Sequence, residues 1–264
     1  MTGTEETAAR FEDLGAALRA GLADFRAAPQ YGVFFAGVYV LAGLVLVQLG
    51  AGLLTWTLSL TLGFPMLAPF LAVGLYDVSR RRASGQSLRA GEVLGIVWQE
   101  RSRQIPWAGA LILIYVLFWS FFAHMLFALF MGPSAMMGPP DALSAYLTRD
   151  GLTMIAVELA FGAVFALLLF SITVISLPML LDREVDVVTA MLASLRVVRA
   201  APLVMFAWAA LIGIATLAAL LPLFLGLFVV LPILGHASWH LYARLRDRGA
   251  LERRRPAPPS VALS

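Results

Sequence analysis

The arginines of this chain are confined to a few short segments, and long apolar blocks separate those segments. The chain has 264 residues and 19 basic residues, and every basic residue is an arginine. Eighteen of them lie before the first apolar block, between the second and third, between the fourth and fifth, or after the sixth; only Arg149 lies elsewhere. Arginine-rich loops stay in the cytoplasm during membrane insertion. The distribution therefore predicts six spans with both termini in the cytoplasm.

The composition also indicates a membrane protein. Hydrophobic residues make up 61% of the chain and charged residues 13%, whereas an ordinary soluble domain is about 25% charged. Lipid is therefore the expected environment of much of this surface, and the bilayer is the first expected partner. The net charge of +3 follows from topology, so no nucleic-acid partner is expected. Exclusive use of arginine suggests a GC-rich bacterial genome, which favours the bacterial inner membrane.

The six apolar blocks are each near the length that crosses a bilayer, which is about 20 helical residues. The predicted spans are Tyr31–Gln48, Leu53–Tyr76, Trp107–Met131, Leu152–Leu180, Leu203–Leu220 and Leu221–Tyr242. The fourth is long, which predicts tilting or projection into the cytoplasm. The fifth and sixth are separated only by a tight turn near Pro222. The fold class is therefore all-α and polytopic.

Short amphipathic helices are predicted before the first, third and fifth spans. In the first, Phe11, Leu14, Leu18, Leu22 and Phe25 share one helical face, as in helices that lie at a membrane interface. Each ends in an arginine followed three residues later by a proline: Arg26 and Pro29, Arg103 and Pro106, Arg199 and Pro202. The sequence therefore predicts one integral-membrane domain with three repeats, each a surface helix and two spans. The repeats cover about residues 9–78, 87–181 and 184–243, and residues 244–264 form a disordered cytoplasmic tail.

Glu158 in the fourth span and His124 in the third are candidates for intramembrane chemistry. A carboxylate at the centre of a span costs about 2.5–3.5 kcal/mol on insertion scales, so a partner is expected. The two residues lie at matching depth, and their spans are sequential neighbours. A buried pair could relay protons or coordinate a ligand. The favoured interpretation is a structural hydrogen bond, or a Glu158 close enough to the interface to reach water.

A second candidate is a polar cluster at the inner ends of the spans. His236 and His240 are four residues apart, which places both imidazoles on one face of the sixth span. Asp77 and Asp182 end the second and fourth spans at comparable depth. Metal or haem ligation is one interpretation of the histidines. An interfacial belt of polar and aromatic side chains is the favoured one, so no metal and no cofactor is expected.

Five segments resemble a bacterial integral-membrane family called domain of unknown function 2189. They are LADFRAAP, PFLAVGLYDVSRR, QIPWAGA, SLPMLLDREVDVVTAM and LPLFLGLFVVLPILGHASWHLY. Some members carry the label of a cytochrome c oxidase subunit, so the resemblance implies a respiratory complex as a partner. With three histidines, the chain lacks the ligand set of a catalytic oxidase subunit. His236, His240, Asp182 and Arg183 lie in the segments most typical of the family.

No nucleotide-binding loop, zinc-protease motif or nucleophile elbow is present in the sequence. The leading functional prediction is therefore a non-enzymatic accessory or scaffold protein that works beside other membrane-complex subunits. The alternative is a small-solute or proton-coupled transporter that uses Glu158 and His124. A membrane enzyme that uses the inner carboxylates and histidines is the least favoured.

Overall fold

The structure is a computed structural model that describes residues 8–50, 64–100, 103–132 and 143–251, with side chains omitted at 64–66, 97, 143 and 145. These ranges contain helices and no strand, so the all-α prediction is confirmed for them. The helices are α1 (Phe11–Ala27), α2 (Pro29–Gln48), α3 (Phe64–Ala83), α4 (Ala90–Gln99), α5 (Ile105–Met131), α6 (Leu143–Tyr146), α7 (Arg149–Thr173), α8 (Ser176–Asp182), α9 (Val187–Ala200), α10 (Pro202–Leu220) and α11 (Leu227–Asp247).

Four helical segments of the described ranges are long and apolar enough to cross a membrane. They are α2, α5, the α7–α8 pair and α10. The second predicted span falls partly outside the described residues, because α3 is described only from Phe64. The sixth predicted span corresponds to α11, which continues to Asp247 and carries two arginines in its last turn. The structure therefore supports a polytopic protein with four such segments.

The connection between α10 and α11 is longer than the tight turn that the sequence predicts. Residues 221–226 form consecutive turns, and α11 begins only at Leu227. Leu223 and Phe224 adopt positive φ angles of 50° and 66°, a region that side-chain-bearing residues seldom occupy. Gly226 then approaches the backbone of Ala219, where a Cβ would lie 2.7 Å from two backbone atoms. The predicted start of the sixth span at Leu221 is therefore too early by one and a half turns.

The long fourth block is two helices rather than one. α7 ends at Thr173 and α8 begins at Ser176. Pro178 has no N–H to donate one turn back, which weakens the helix at this point. Ser194 of α9 fits against the break: its hydroxyl donates to the carbonyl of Ser171 (2.7 Å) and accepts from the N–H of Ile175 (3.2 Å). The length of this block is thus accommodated by a break that a neighbouring helix stabilises.

The helices follow one order three times: a short amphipathic helix and then two long segments. We call α1–α3 the first unit, α4–α8 the second and α9–α11 the third. The second long segments, namely α3, α8 and α11, contact one another at the centre. Each short helix packs on the second long segment of another unit: α1 on α11, α4 on α3, and α9 on α7 and α8. The three units therefore close into a ring.

The core is concentrated at one end of this ring, where the arginines of α3 and α11 lie. We call it the arginine-rich end. The side chains of residues 73–79 in α3 and 176–181 in α8 are buried without interruption. In α11, Trp239, Leu241 and Tyr242 are buried as well. The opposite half exposes leucine and phenylalanine side chains along α5, α7 and α10, as expected for surfaces that face lipid.

α1 packs into the bundle mainly through small and acidic residues, together with Leu14. Its buried residues include Asp13, Ala17, Gly21 and Asp24, whereas Phe11 is 62% exposed. At Gly21 the backbones approach so closely that a Cβ would lie 2.7 Å from the nitrogen of Ala237. Small residues commonly line such close helix crossings in membrane proteins. Of the predicted stripe of large apolar residues, Leu14 is buried in the core and Leu18 packs against it, so the stripe contributes in part to holding α1 to the bundle.

The ordered chain extends beyond residue 243, the predicted end of the third repeat. α11 continues to Asp247, and a positive φ at Gly249 (74°) turns the chain back. Arg248 pairs with Asp13, and Leu251 is buried. The predicted disorder is therefore wrong for residues 244–251. Residues 252–264 lie outside the described part of the chain.

Candidate functional site

Five polar residues meet between α1, α3 and α11 at the arginine-rich end. They are Asp24, Ser79, Arg82, His236 and His240, and we call them the Asp24 cluster. Asp24 is brought there by the close packing of α1 on α11, and Ser79 and Arg82 by the last two turns of α3. His236 and His240 come from one face of α11, because four residues complete about one helical turn.

Asp24 is the acceptor at the centre of this cluster. His240 donates from Nε2 to Asp24 Oδ2 (2.7 Å), and Arg82 donates from Nε to Asp24 Oδ1 (2.8 Å). Burial alone would raise the pKa of Asp24. The hydrogen bonds from His240, Ser79 and Arg82 outweigh burial and lower this pKa to about 2. Asp24 is therefore a carboxylate at neutral pH that joins three helices.

His236 is completely buried, and its contacts fix its tautomer. Nδ1 lies 3.0 Å from the carbonyl oxygen of Leu75 and 2.9 Å from the hydroxyl of Ser79. A carbonyl can only accept, so Nδ1 carries the proton. Nε2 of neutral His236 is then an acceptor, and it has no hydrogen-bond partner among the described residues. His236 therefore stabilises the contact between α3 and α11 through one nitrogen only.

Asp77 is separate from the Asp24 cluster, although it belongs to the same helix as Ser79. It is fully buried and accepts from Arg80 (2.5 Å) and from Arg81 (2.7 Å). Arg81 also donates to Glu92 of α4 (2.5 Å), and Arg80 to the carbonyl of Leu181 (3.1 Å). Asp77 thus orients two arginines that connect the first unit to the second.

Asp182 holds the second unit to the third. It accepts from the hydroxyl of Tyr242 (2.7 Å) and from Arg246 (3.0 Å), both on α11. Arg183 follows α8 directly and lines a separate surface depression with Arg103 and Glu184. The third junction, between α1 and the end of α11, is closed by Arg248, which donates to Asp13 (2.7 Å) and makes a second contact with the other carboxylate oxygen.

The structure therefore divides the predicted inner cluster into three groups. His236 and His240 lie in the Asp24 cluster, Asp77 binds its own arginines, and Asp182 binds α11. The two histidines have different partners. Within the described residues, no group of three or more histidine, aspartate or glutamate side chains could hold a metal ion. The arrangement is suited to joining helices, because its carboxylates bind the arginine and histidine side chains beside them.

Asp24, Ser79 and Arg82 are the residues of this site that the sequence analysis missed. A signal for Asp24 was present, because Asp13, Ala17, Gly21 and Asp24 recur at intervals of four, four and three residues. That spacing marks one face of α1. The larger apolar residues of α1 predict contact with lipid instead, so they give no indication of Asp24.

Glu158 and His124 lie on neighbouring helices, α7 and α5, within range of an electrostatic interaction. Neither a hydrogen bond nor an ion pair joins them in the described part of the chain. His124 Nδ1 lies 2.7 Å from the carbonyl oxygen of Ser120 on its own helix. Glu158 lines an open groove with Trp119, Ile155 and Gly162. The two residues are thus near one another without forming the predicted direct contact.

The residues that defined the predicted repeats lie at corresponding places in the helix order. Pro29 and Pro202 are the first residues of α2 and α10, and Pro106 is the second residue of α5. Arg26 and Arg199 are exposed in the last turns of α1 and α9. Arg103 instead lies between α4 and α5 and donates to Glu100 (2.9 Å). Proline suits the first turn of a helix because no N–H is needed there.

Comparison with known proteins places this arrangement in a family. Residues 57–182 match the model of a family described as a predicted integral membrane protein, DUF2189. Over this segment the chain belongs to that family. The DUF2189 segment contains the described helices from α3 to α8, which are the end of the first unit and the whole of the second. No curated protein and no solved structure matches the chain.

The chain therefore contains a segment of the DUF2189 family of predicted integral membrane proteins. The match includes PFLAVGLYDVSRR and QIPWAGA, and it ends at Asp182 inside SLPMLLDREVD. Asp77 and Asp182, which anchor contacts between units, both lie within it. Asp24, His236 and His240 lie outside it. The family carries no assigned biochemical activity that could be transferred to these residues.

Proposed function

We propose that the protein crosses the bacterial inner membrane six times, as three repeats, with both termini in the cytoplasm. Three times, a short helix is followed by two long segments, which supports the repeat. The residues before α2 and α10 have nearly the same backbone angles: φ −144° and ψ 57° at Ala28, φ −141° and ψ 64° at Ala201. The arginines at one end support a cytoplasmic orientation of that end.

Topology reporters test this layout directly. A cytoplasm-active and a periplasm-active reporter would each be fused after Ser264 and, in separate chains, after Gly132. The proposal expects the C-terminal fusion to be active only as the cytoplasmic reporter and the Gly132 fusion only as the periplasmic one. Periplasmic activity of the C-terminal fusion would exclude an even number of spans with a cytoplasmic N-terminus.

Within this layout, the protein acts as a non-enzymatic accessory or scaffold of another membrane complex. The observation that carries this proposal is the use of its charged residues. Asp13, Asp24, Asp77 and Asp182 each bind arginine or histidine in contacts that hold helices together, so these carboxylates serve the architecture. The resemblance to family members labelled as a cytochrome c oxidase subunit gives the class of partner: a respiratory complex of that type.

Copurification from native membranes in a gentle detergent tests the accessory role. The tagged protein should recover oxidase subunits in a constant ratio, identified by mass spectrometry, and an unrelated tagged six-span protein of similar abundance should not. An Asp24→Ala variant that loses the packing of α1 should lose the subunits as well. Recovery of the intact protein without oxidase subunits would contradict the respiratory assignment.

Transport is the second candidate, and the position of Glu158 favours it. This carboxylate lines a groove of about 460 Å³ between α5 and α7, near His124. A carboxylate in a spanning segment commonly marks an ion or proton pathway. Purified protein in liposomes should then show solute-dependent proton flux, which Glu158→Gln abolishes while insertion is retained. An accessory protein should show no flux in either form.

A further inference from the structure

An open cavity of about 300 Å³ lies between helices of all three units. The first unit contributes α2 and α3, the second α7 and α8, and the third α10 and α11. Its volume is at the lower end of the range for ligand pockets, roughly 300–1,000 Å³. The cavity and the Asp24 cluster use different faces of α11. Gly235 and Ser238 line the cavity, while His236 and His240 point toward α1 and α3.

The walls of the cavity are largely apolar and carry no charged side chain among the described residues. Phe35, Leu71, Phe170 and Leu234 are typical of them, and no aspartate, glutamate, arginine or histidine belongs to the lining in the described ranges. An ionised ligand would lose its hydration there without gaining a charged partner. The cavity therefore selects a neutral occupant. The apolar exterior of the surrounding helices makes the bilayer the natural source of one.

Tyr76 provides a hydrogen-bond donor at this cavity. Its side chain lines the cavity and is 7% exposed, yet within the described structure its hydroxyl has no hydrogen-bond partner. A hydroxyl that lacks a partner at an apolar site is costly, and the two neighbouring hydroxyls donate their own protons to backbone carbonyls. Ser238 donates to the carbonyl of Leu234 (2.8 Å), and Thr173 to that of Leu169 (2.7 Å). A ligand that brings an acceptor oxygen into the cavity would satisfy Tyr76.

We propose that this cavity binds the apolar chain of a neutral lipid, with a carbonyl or ether oxygen of the lipid accepting a hydrogen bond from Tyr76. The apolar walls match the chain. Because no charged side chain belongs to the described lining, a carboxylate or phosphate head is excluded from the cavity. Ser238 and Thr173 leave their oxygens as acceptors beside it, so a second donor such as a lipid hydroxyl could also be held. This site is independent of the accessory role proposed above.

Photo-crosslinking of the full-length protein tests the site. The probe is a fatty acid methyl ester that carries a diazirine and an alkyne in its chain, added to protein in uncharged detergent. Crosslinked peptides should come from α3, α8 and α11 at the cavity. An unlabelled ester should compete, whereas the same chain as a free acid should compete at least about tenfold less at neutral pH.

Two variants separate the cavity from the lipid-facing surface. Tyr76→Phe removes only the donor and should weaken labelling about threefold to tenfold, the effect of one hydrogen bond. Ala72→Phe fills the cavity and should abolish labelling. Leu129→Ala, on the exposed surface of α5, should leave it unchanged. The thermal midpoint of each variant shows whether it is folded, and if Ala72→Phe is not, Tyr76→Phe decides alone.

Equal labelling of wild type and a folded Tyr76→Phe would overturn the proposed hydrogen bond and with it the proposal. Equal competition by the free acid would overturn the selection for a neutral head. Crosslinks confined to exposed residues of α5 and α10 would show that the ester binds only the lipid-facing surface, which also excludes the site.

Discussion

The arginine-rich end and the opposite half of this protein are built on different physical principles. At the arginine-rich end, side chains of α3, α8 and α11 are almost continuously buried, and carboxylates bind arginines or histidines from other helices. In the opposite half, α5 carries exposed residues such as Phe121 and Leu129, 71% and 74% exposed. Lipid can solvate those side chains, so they need no protein partner. The specific contacts that hold the helices in this arrangement therefore lie at the arginine-rich end.

Removing Asp24 should give the largest loss of stability. Asp24→Ala leaves His240 and Arg82 without their shared acceptor; because their side chains are 20% and 35% exposed, we expect a cost near the lower end of the about 3–5 kcal/mol for breaking a buried pair. The matched change in the opposite half, Glu158→Gln, removes a carboxylate that has no ion pair there and should change stability by less than about 0.5 kcal/mol. Equilibrium unfolding in detergent measures both. Equal losses of stability in Asp24→Ala and Glu158→Gln would contradict the difference between the two ends.

The same leucine truncation should have different effects at the two ends. Leu241 is fully buried on α11, and Leu129 is 74% exposed on α5. Leu241→Ala should cost about 2–5 kcal/mol, because it leaves a cavity in a packed core. Leu129→Ala should stay within about 0.5 kcal/mol, since lipid or detergent fills the space. A large loss for Leu129→Ala would instead reveal a protein contact on that surface.

Two glycines of α1 allow a finer test of how that helix docks. At Gly21, a Cβ would lie 2.7 Å from the backbone of Ala237, while at Gly15 the nearest atom is the end of Arg19 at 3.8 Å. Gly21→Ala should therefore cost about 1–3 kcal/mol through overpacking. Gly15→Ala should be neutral or stabilising, because alanine favours the helix. Thermal midpoints of the two variants provide the measurement, and a stabilised Gly21→Ala would show that α1 does not pack this closely.

Acidification should weaken the arginine-rich end first. The pKa of Asp24 is about 2 in the fold, below its ordinary value of 3.8. The lowered pKa means that ionised Asp24 stabilises the fold above pH about 4, and that this contribution is lost as the pH falls toward about 2. The difference corresponds to about 2 kcal/mol. Between these pH values, the free energy of unfolding should fall more steeply with decreasing pH for the wild type than for Asp24→Asn. Parallel curves would contradict the lowered pKa.

The sequence predicted the class of this protein because the relevant signals are local. Long apolar blocks, arginine-rich segments and prolines before spans each act within a few residues, and the helices of the structure follow them. The contacts of Asp77 with Arg80 and Arg81 are also local, since neighbours three and four residues apart face each other on a helix. The same reasoning could not place the break before Pro178, because Ser194 of a different helix stabilises it.

Hydropathy and charge patterning by themselves determined that the chain is helical, that it belongs in a membrane, and which segments lie together at its arginine-rich end. Only the tertiary structure decided which charges meet. Asp24 and His240 are 216 residues apart, and they meet because α1, through Gly21, packs closely on α11. Such a contact depends on the shapes of two helices together, and neither segment encodes it alone.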